Sequence, residues 1–197
     1  MTTPYQTALD ELGRVFARID EVAVERAIEA IADARRIALD LLAKLAAHAR
    51  RRGLSELLVE PTPLATEFPS SAADAARLMA DLAGRTEVPV RLLVDWGHAL
   101  YRPLFGAGAS LDEWMERCGG SIRAFHVQQT DGTLDCHWSF CHEGLVSPAA
   151  LEAFWRRHGL RDQTYFAEII YPFEADDDAV LEDMARSSAL LREASAP

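Results

Sequence analysis

Residues 54–192 repeat one pattern four times: a short apolar run, a turn, then an amphipathic segment. The runs are "ELLVEPTP", "VRLLVDWGH", "IRAFHVQQ" and "TYFAEIIYP", and helical spacing follows over Ala72–Leu82, Leu111–Arg117, Pro148–Arg157 and Asp178–Arg192. A helix between successive strands carries the chain back to its starting side, so the strands lie parallel and the crossovers are right-handed. The fold class is α/β, with strands of roughly five to seven residues expected.

Parallel β/α units also fix where chemistry gathers, because the carboxyl ends of all the strands share one edge and ligands bind there. The four runs end on Glu60, Asp95, His126 and Glu168. Three carboxylates at one spot repel one another and raise their pKa values unless a cation joins them. An oxygen-rich set with one nitrogen suits Mn²⁺, Co²⁺ or Mg²⁺ better than a thiolate-preferring metal. The plain alternative is that Glu60 and Asp95 cap the helices behind them and His126 is a core histidine with its hydrogen bonds met.

Ahead of this region, Thr7 to about Arg52 reads as helix. Leu9, Leu12, Phe16 and Ile19 recur at helical spacing, Asp20 is placed to cap a second helix, and Val24, Ile28, Ile31, Leu41, Leu42 and Leu45 continue it until Gly53. The expected division is an N-terminal helical segment over 1–42 and an α/β domain over 43–197.

Several classes of function are excluded or disfavoured by composition. A net charge of -11 argues against nucleic acid as a partner. Arg50, Arg51 and Arg52 sit at a helix end, where the dipole favours cations. Cys118, Cys136 and Cys141 form neither a disulfide set nor a CxxC clip, and the Cys136–His137/Cys141–His142 cluster lacks zinc-site spacing. The expected setting is the cytoplasm, with no membrane-length apolar run and no signal sequence. Lys44 is the only lysine and lies in a helical stretch, which disfavours Schiff-base chemistry.

The segments "VEPTP", "VDWGH", "AFHVQQTDG" and "FAEIIYPFE" together resemble the xylose-isomerase-like TIM-barrel family of sugar and sugar-phosphate isomerases and epimerases, over about residues 43–192. The resemblance implies a partial (β/α) TIM barrel whose units correspond to strands five to eight, preceded by the helical segment. It implies one divalent ion held by Glu60, Asp95, His126 and Glu168. It also implies a ketose worked on through an enediolate, with Glu60 and Glu168 as acid and base. His98 and Glu67 match substrate-contacting positions. The family's arginine after the histidine ligand is absent; Asp131, His137 and Trp138 in "TDGTLDCHW" are candidates to replace it, or the segment is a polar turn around Gly132. Arg102 and Arg123 are the candidates for a substrate phosphate. The stretch "LDELGRVFARIDEVAVERAIEAIADARRIAL" resembles the leading helices of sugar-isomerase (SIS) domain proteins, without the Gly-rich phosphate loop that follows them there.

A closed barrel needs eight units and this region supplies four, so both sheet edges are expected to be open and to favour a homo-oligomer. Three readings follow: a metal-dependent ketose isomerase or epimerase in carbohydrate metabolism; an inactive or metal-binding remnant or fusion lacking the first half of the barrel; and an AP endonuclease-type repair enzyme, which the acidic charge opposes. No nucleic acid and no membrane is expected as a partner.

Overall fold

The computed structural model describes residues 14, 18, 20–160 and 162–195. The chain divides into two units, Met1–Leu41 and Leu42–Pro197. Of the first unit's expected helical positions, Leu9, Leu12, Phe16 and Ile19 lie outside the described residues. Helix α1, Glu21–Arg51, runs across the junction of the two units. It starts where the Asp20 carboxylate accepts a hydrogen bond from Val22 N at 3.0 Å. It stops at Gly53, whose φ of 78° lets Leu54 N turn back to Ala49 O at 3.0 Å. Within the first unit Val22, Val24, Ile28 and Ile37 are exposed.

The second unit is the α/β region. After α1 come β1 (Leu57–Val59), α2 (Ala72–Leu82), β2 (Val90–Asp95), the short α3 (Trp96–Ala99) and α4 (Arg102–Phe105), and α5 (Leu111–Cys118). They are followed by β3 (Ile122–Val127), α6 (Pro148–His158), β4 (Thr164–Ala167) and α7 (Asp177–Ser195). The strands form one parallel sheet in the order β1-β2-β3-β4. This is the parallel α/β sheet that the alternation predicts, and the partial barrel that the resemblance implies.

The helices begin where side chains meet their orphan N–H groups. Ser71 accepts from Asp74 N, Ser110 from Asp112 N and Ser147 from Ala150 N. Two details differ from expectation. The edge strands are short, three residues in β1 and four in β4; among the described residues each has a ladder partner on one side only. Helices α3 and α4 are additional turns within a stretch that the sequence marks only as the end of a strand.

One face of the sheet carries the core. Leu92, Val94, Phe125 and Val127 pack with Trp114, Leu151, Phe154 and Trp155 from the helices, and Phe125 stacks on Tyr165 at 5.4 Å. Neighbouring strands in register send equivalent residues to the same face. The pairs Leu58↔Arg91, Leu93↔Ala124, Asp95↔His126 and His126↔Phe166 therefore share the opposite face. On that face Leu58 is 40% and Phe166 49% exposed. Among the described residues no helix is long and apolar enough to cross a membrane.

Candidate active site

At the carboxyl edge of the sheet, four successive β/α units deliver Glu60, Asp95, His126 and Glu168 to one place. Asp95 and His126 are paired in the β2–β3 ladder, and Glu60 and Glu168 stand one residue beyond β1 and β4. Glu168 N continues the ladder to Val127 O at 3.0 Å, which fixes its backbone. One ligand atom from each of the four side chains lies within 4.8 Å of every other. Ligand oxygens at about 2.1 Å from a common ion are separated by no more than roughly 4.2 Å, so the set needs only a small contraction to enclose one.

The bonding within the group fits a cation. Asp95 is 1% exposed; its Oδ1 accepts from His98 N at 2.8 Å and from Gln128 Nε2 at 2.9 Å. Its Oδ2 is buried with no hydrogen-bond partner among the described residues. Asp95 therefore caps α3 with one oxygen, and the cap leaves its other oxygen available as a ligand. His126 Nδ1 is 3.1 Å from Glu60 Oε1 and 2.6 Å from Glu168 Oε2. The second contact is close without the alignment of a hydrogen bond, so Glu168 Oε2 is likewise buried with no hydrogen-bond partner among the described residues, although it faces the His126 ring. Leaving a buried oxygen without a donor costs on the order of 1–3 kcal/mol, a penalty that a cation between these atoms removes. Burial pushes the Asp95 carboxyl above its ordinary range, against the lowering effect of the His98 charge and the hydrogen bonds from His98 and Gln128.

A second group stands beside the first. His98, Asp135 and His137 also place ligand-type atoms within 4.8 Å of one another. His98 Nε2 lies 3.3 Å from Asp135 Oδ2, and His137 Nε2 lies 3.0 Å from Asp135 Oδ1. Burial works against the charged form of His98, yet the hydrogen bond to Asp135 and the charges of Asp95, Asp135 and Glu60 prevail and push it up to about 9. Partial burial raises Asp135, but hydrogen bonds from His137 and His98 outweigh it and hold that carboxyl well below the usual range. The hydrogen bond to Asp135 is also the main cause raising His137.

Gln128 joins the two groups. Its fully buried amide donates to Asp95 Oδ1 and, at 3.2 Å, to Asp135 Oδ1, while its carbonyl oxygen accepts from His137 N. Gly97 makes room for it: a Cβ there would lie 2.5 Å from the Gln128 side-chain carbon. This explains why a glycine separates Trp96 from His98 just after Asp95. His137 takes a left-handed backbone, φ 47°, unusual for a residue with a side chain, and Ile170 N anchors its carbonyl at 2.9 Å. The adjacent Gln129 holds the following loop, accepting from Val146 N at 2.8 Å and donating to Val146 O at 3.0 Å.

Both groups open on a cleft of about 310 Å³ whose walls include Glu60, Glu67, His98, Tyr101, Asp135 and Glu168. Glu67 lies at the rim, where its carboxylate accepts from Thr62 Oγ1. Asp131 is placed elsewhere: its Oδ1 accepts from Thr133 N at 2.7 Å and Thr133 Oγ1 at 2.8 Å, the polar turn around Gly132. The carboxylate that this loop sends into the cleft is Asp135, which the sequence reading missed. Trp138 pairs through its backbone with Gln129. Arg123 binds Glu56 at 3.0 Å, beside the amino ends of the strands. The three cysteines are free, and among the described residues neither ligand-type group contains one. A larger hollow, about 470 Å³, lies between β4, α6 and α7 and includes none of these groups, so size alone does not locate the chemistry.

No protein-family model and no curated protein matches the chain. Among solved structures, a provisionally named xylose isomerase from Rhodospirillum rubrum is 63% identical, with a TM-score of 0.79 over 82% of this chain. The chain is xylose-isomerase-like. It spans about half of that relative, 54% of its length. The 3-keto-D-glucoside 4-epimerase of E. coli, at 18% identity and a TM-score of 0.53 over 79% of this chain and 53% of its own, shares the fold. The xylose-isomerase-like portion is thus a partial barrel that carries both ligand-type groups at its carboxyl edge.

Proposed function

We propose that the chain is a divalent-metal-dependent isomerase or epimerase acting on a ketose or ketose phosphate. The observation that supports it most is the convergence of Glu60, Asp95, His126 and Glu168, with two buried carboxylate oxygens left without donors among the described residues. One Mn²⁺, Co²⁺ or Mg²⁺ held by these four side chains supplies positive charge that acidifies the C–H beside a bound ketone. Glu60 and Glu168 come from opposite edges of the sheet and approach the substrate carbon from different sides. One carboxylate takes the proton there. The other returns a proton to the opposite face of the same carbon, giving an epimer; alternatively the proton goes to the neighbouring carbon while the hydroxyl proton passes to the former ketone oxygen, giving an aldose.

The remaining residues orient. Gln128 holds Asp95 in place. His98, Asp135 and His137 form a chain of donors and an acceptor for substrate hydroxyls, and Glu67 closes the cleft rim. The three free thiols fit a cytoplasmic setting. The acting species is taken as a homo-oligomer joined through the open sheet edges. The net charge of -11 gives the DNA-repair reading nothing to hold a phosphate backbone with.

Incubating the Mn²⁺-loaded protein with ketoses in deuterium oxide tests the reading. Exchange at the carbon beside the ketone, abolished by chelator, is expected. Bound ion without exchange on any ketose or ketose phosphate would make the chain a metal-binding remnant instead.

A further inference from the structure

We propose that two copies of this chain close a single eight-stranded barrel around a twofold axis that runs along the barrel. Three observations in the second unit point to it. First, among the described residues β1 and β4 each have one ladder partner, so the parallel sheet is open at both ends. Second, on the face opposite the core, Leu58 at one edge and Phe166 at the other are 40% and 49% exposed, while Ala124 and Asp95 between them are buried; parallel sheets ordinarily have both faces covered. Third, each open end carries an outer helix with apolar side chains that are exposed among the described residues. Beside β1, the end of α1 is tied to the sheet by Ala46, Ala49, Val88 and Leu57, yet Leu45 is 54% exposed. Beside β4, α7 leaves Leu181 64% and Met184 47% exposed.

Four parallel strands are half of what a closed barrel of this class requires. A twofold axis along the barrel keeps every strand parallel and sets β4 of each copy beside β1 of the other. A twofold across the barrel would make the seams antiparallel. The along-axis arrangement produces two identical seams and leaves no free edge, which closes the assembly at two copies. The same rotation brings α1 of one copy beside α7 of the other, so Leu45 faces the Leu181–Met184 stripe at each seam. The sheet faces opposite the two cores become the barrel interior. Glu60, Asp95 and Glu168 from both copies then surround one mouth, where their charges repel unless cations lie among them, so divalent ion tightens the assembly. The proposal rests on the fold; ion binding without catalysis leaves it standing.

Sedimentation of the full chain with Mn²⁺ and with chelator tests it. A particle of twice 21.8 kDa is expected, with a weaker association in chelator. Leu45→Glu and Met184→Lys alter exposed positions and are each expected to weaken the dimer by about tenfold or more with unchanged far-ultraviolet circular dichroism. Combined in one chain they oppose each other across both seams, so the double variant is expected to associate more tightly than either single one. Leu58→Lys, on the open face, is expected to weaken the dimer without rescue. A monomer in Mn²⁺ at about 100 µM chain, an open-ended polymer, or a dimer indifferent to all three substitutions overturns the proposal.

Discussion

The two ligand-type groups at the sheet edge lie side by side and share Gln128, but they resolve their electrostatics in opposite ways. In the first, three carboxylates face one imidazole, and buried oxygens of Asp95 and Glu168 find no donor among the described residues. In the second, two imidazoles face one carboxylate, and Asp135 is held low while His98 is pushed up to about 9. The second group satisfies itself with protons. The first sets three carboxylates against a single imidazole, and it is there that the proposed ion would be held. Proximity of carboxylates and histidines alone therefore does not mark a metal site; the ratio of acids to bases, and the oxygens left without partners, separate the two.

The largest effect that this contrast predicts is on proton transfer. Glu168→Gln keeps a side-chain oxygen in the first group but removes a base, so ketose exchange in deuterium oxide should fall by about a hundredfold or more. A variant that exchanges at the normal rate would remove Glu168 from the chemistry.

Next comes the link between the groups. Gln128→Leu deletes the side-chain donor to Asp95 while filling similar volume, and should weaken Mn²⁺ binding by roughly 10–100-fold, read by isothermal titration. Unchanged affinity would mean that Asp95 is held without its neighbour.

The smallest effect concerns an acid–histidine pair that does not line the cleft, which calibrates the second group. Asp112 lies 2.7 Å from His158 Nε2 and 2.8 Å from Arg157 Nη2, with its side chain 49% exposed. The His158 hydrogen bond, ahead of Arg157 and against slight burial, holds this carboxyl below its ordinary range. A depressed carboxyl contributes stability that is full above the unfolded value near ~3.9 and is lost as pH falls through the lower folded value. Exposure limits the gain to under about 1 kcal/mol, so Asp112→Asn should lower Tm slightly at neutral pH and flatten its decline in acid.

Much of this was legible in the sequence because strand–helix alternation has a geometric consequence. Once the strands are parallel, the last residue of each lies on a common edge, and Glu60, Asp95, His126 and Glu168 assemble whatever the loops do. The loops were less readable. "TDGTLDCHW" offers two aspartates, and periodicity does not say which turns inward. Asp131, just before Gly132, closes its own turn, while Asp135 is drawn into the cleft by His98, His137 and Gln128. Gln128 and Gln129 look alike in "HVQQ", yet one organises the site and the other the loop that follows. That division depends on contacts with Gly97 and Val146, which lie 31 and 17 residues away in the chain. Likewise, capping and metal binding were alternatives for Asp95 on paper, and its two oxygens make them compatible.

The central claim, that the carboxylate-rich group and not its histidine-rich neighbour holds the ion, is tested most directly by counting bound Mn²⁺ per chain in purified protein and in two variants. About one tightly held ion per chain is predicted for the native sequence and for Asp135→Asn, with retention lost in Asp95→Asn. An ion lost from Asp135→Asn but kept by Asp95→Asn, or no retained ion in the native protein, would contradict it.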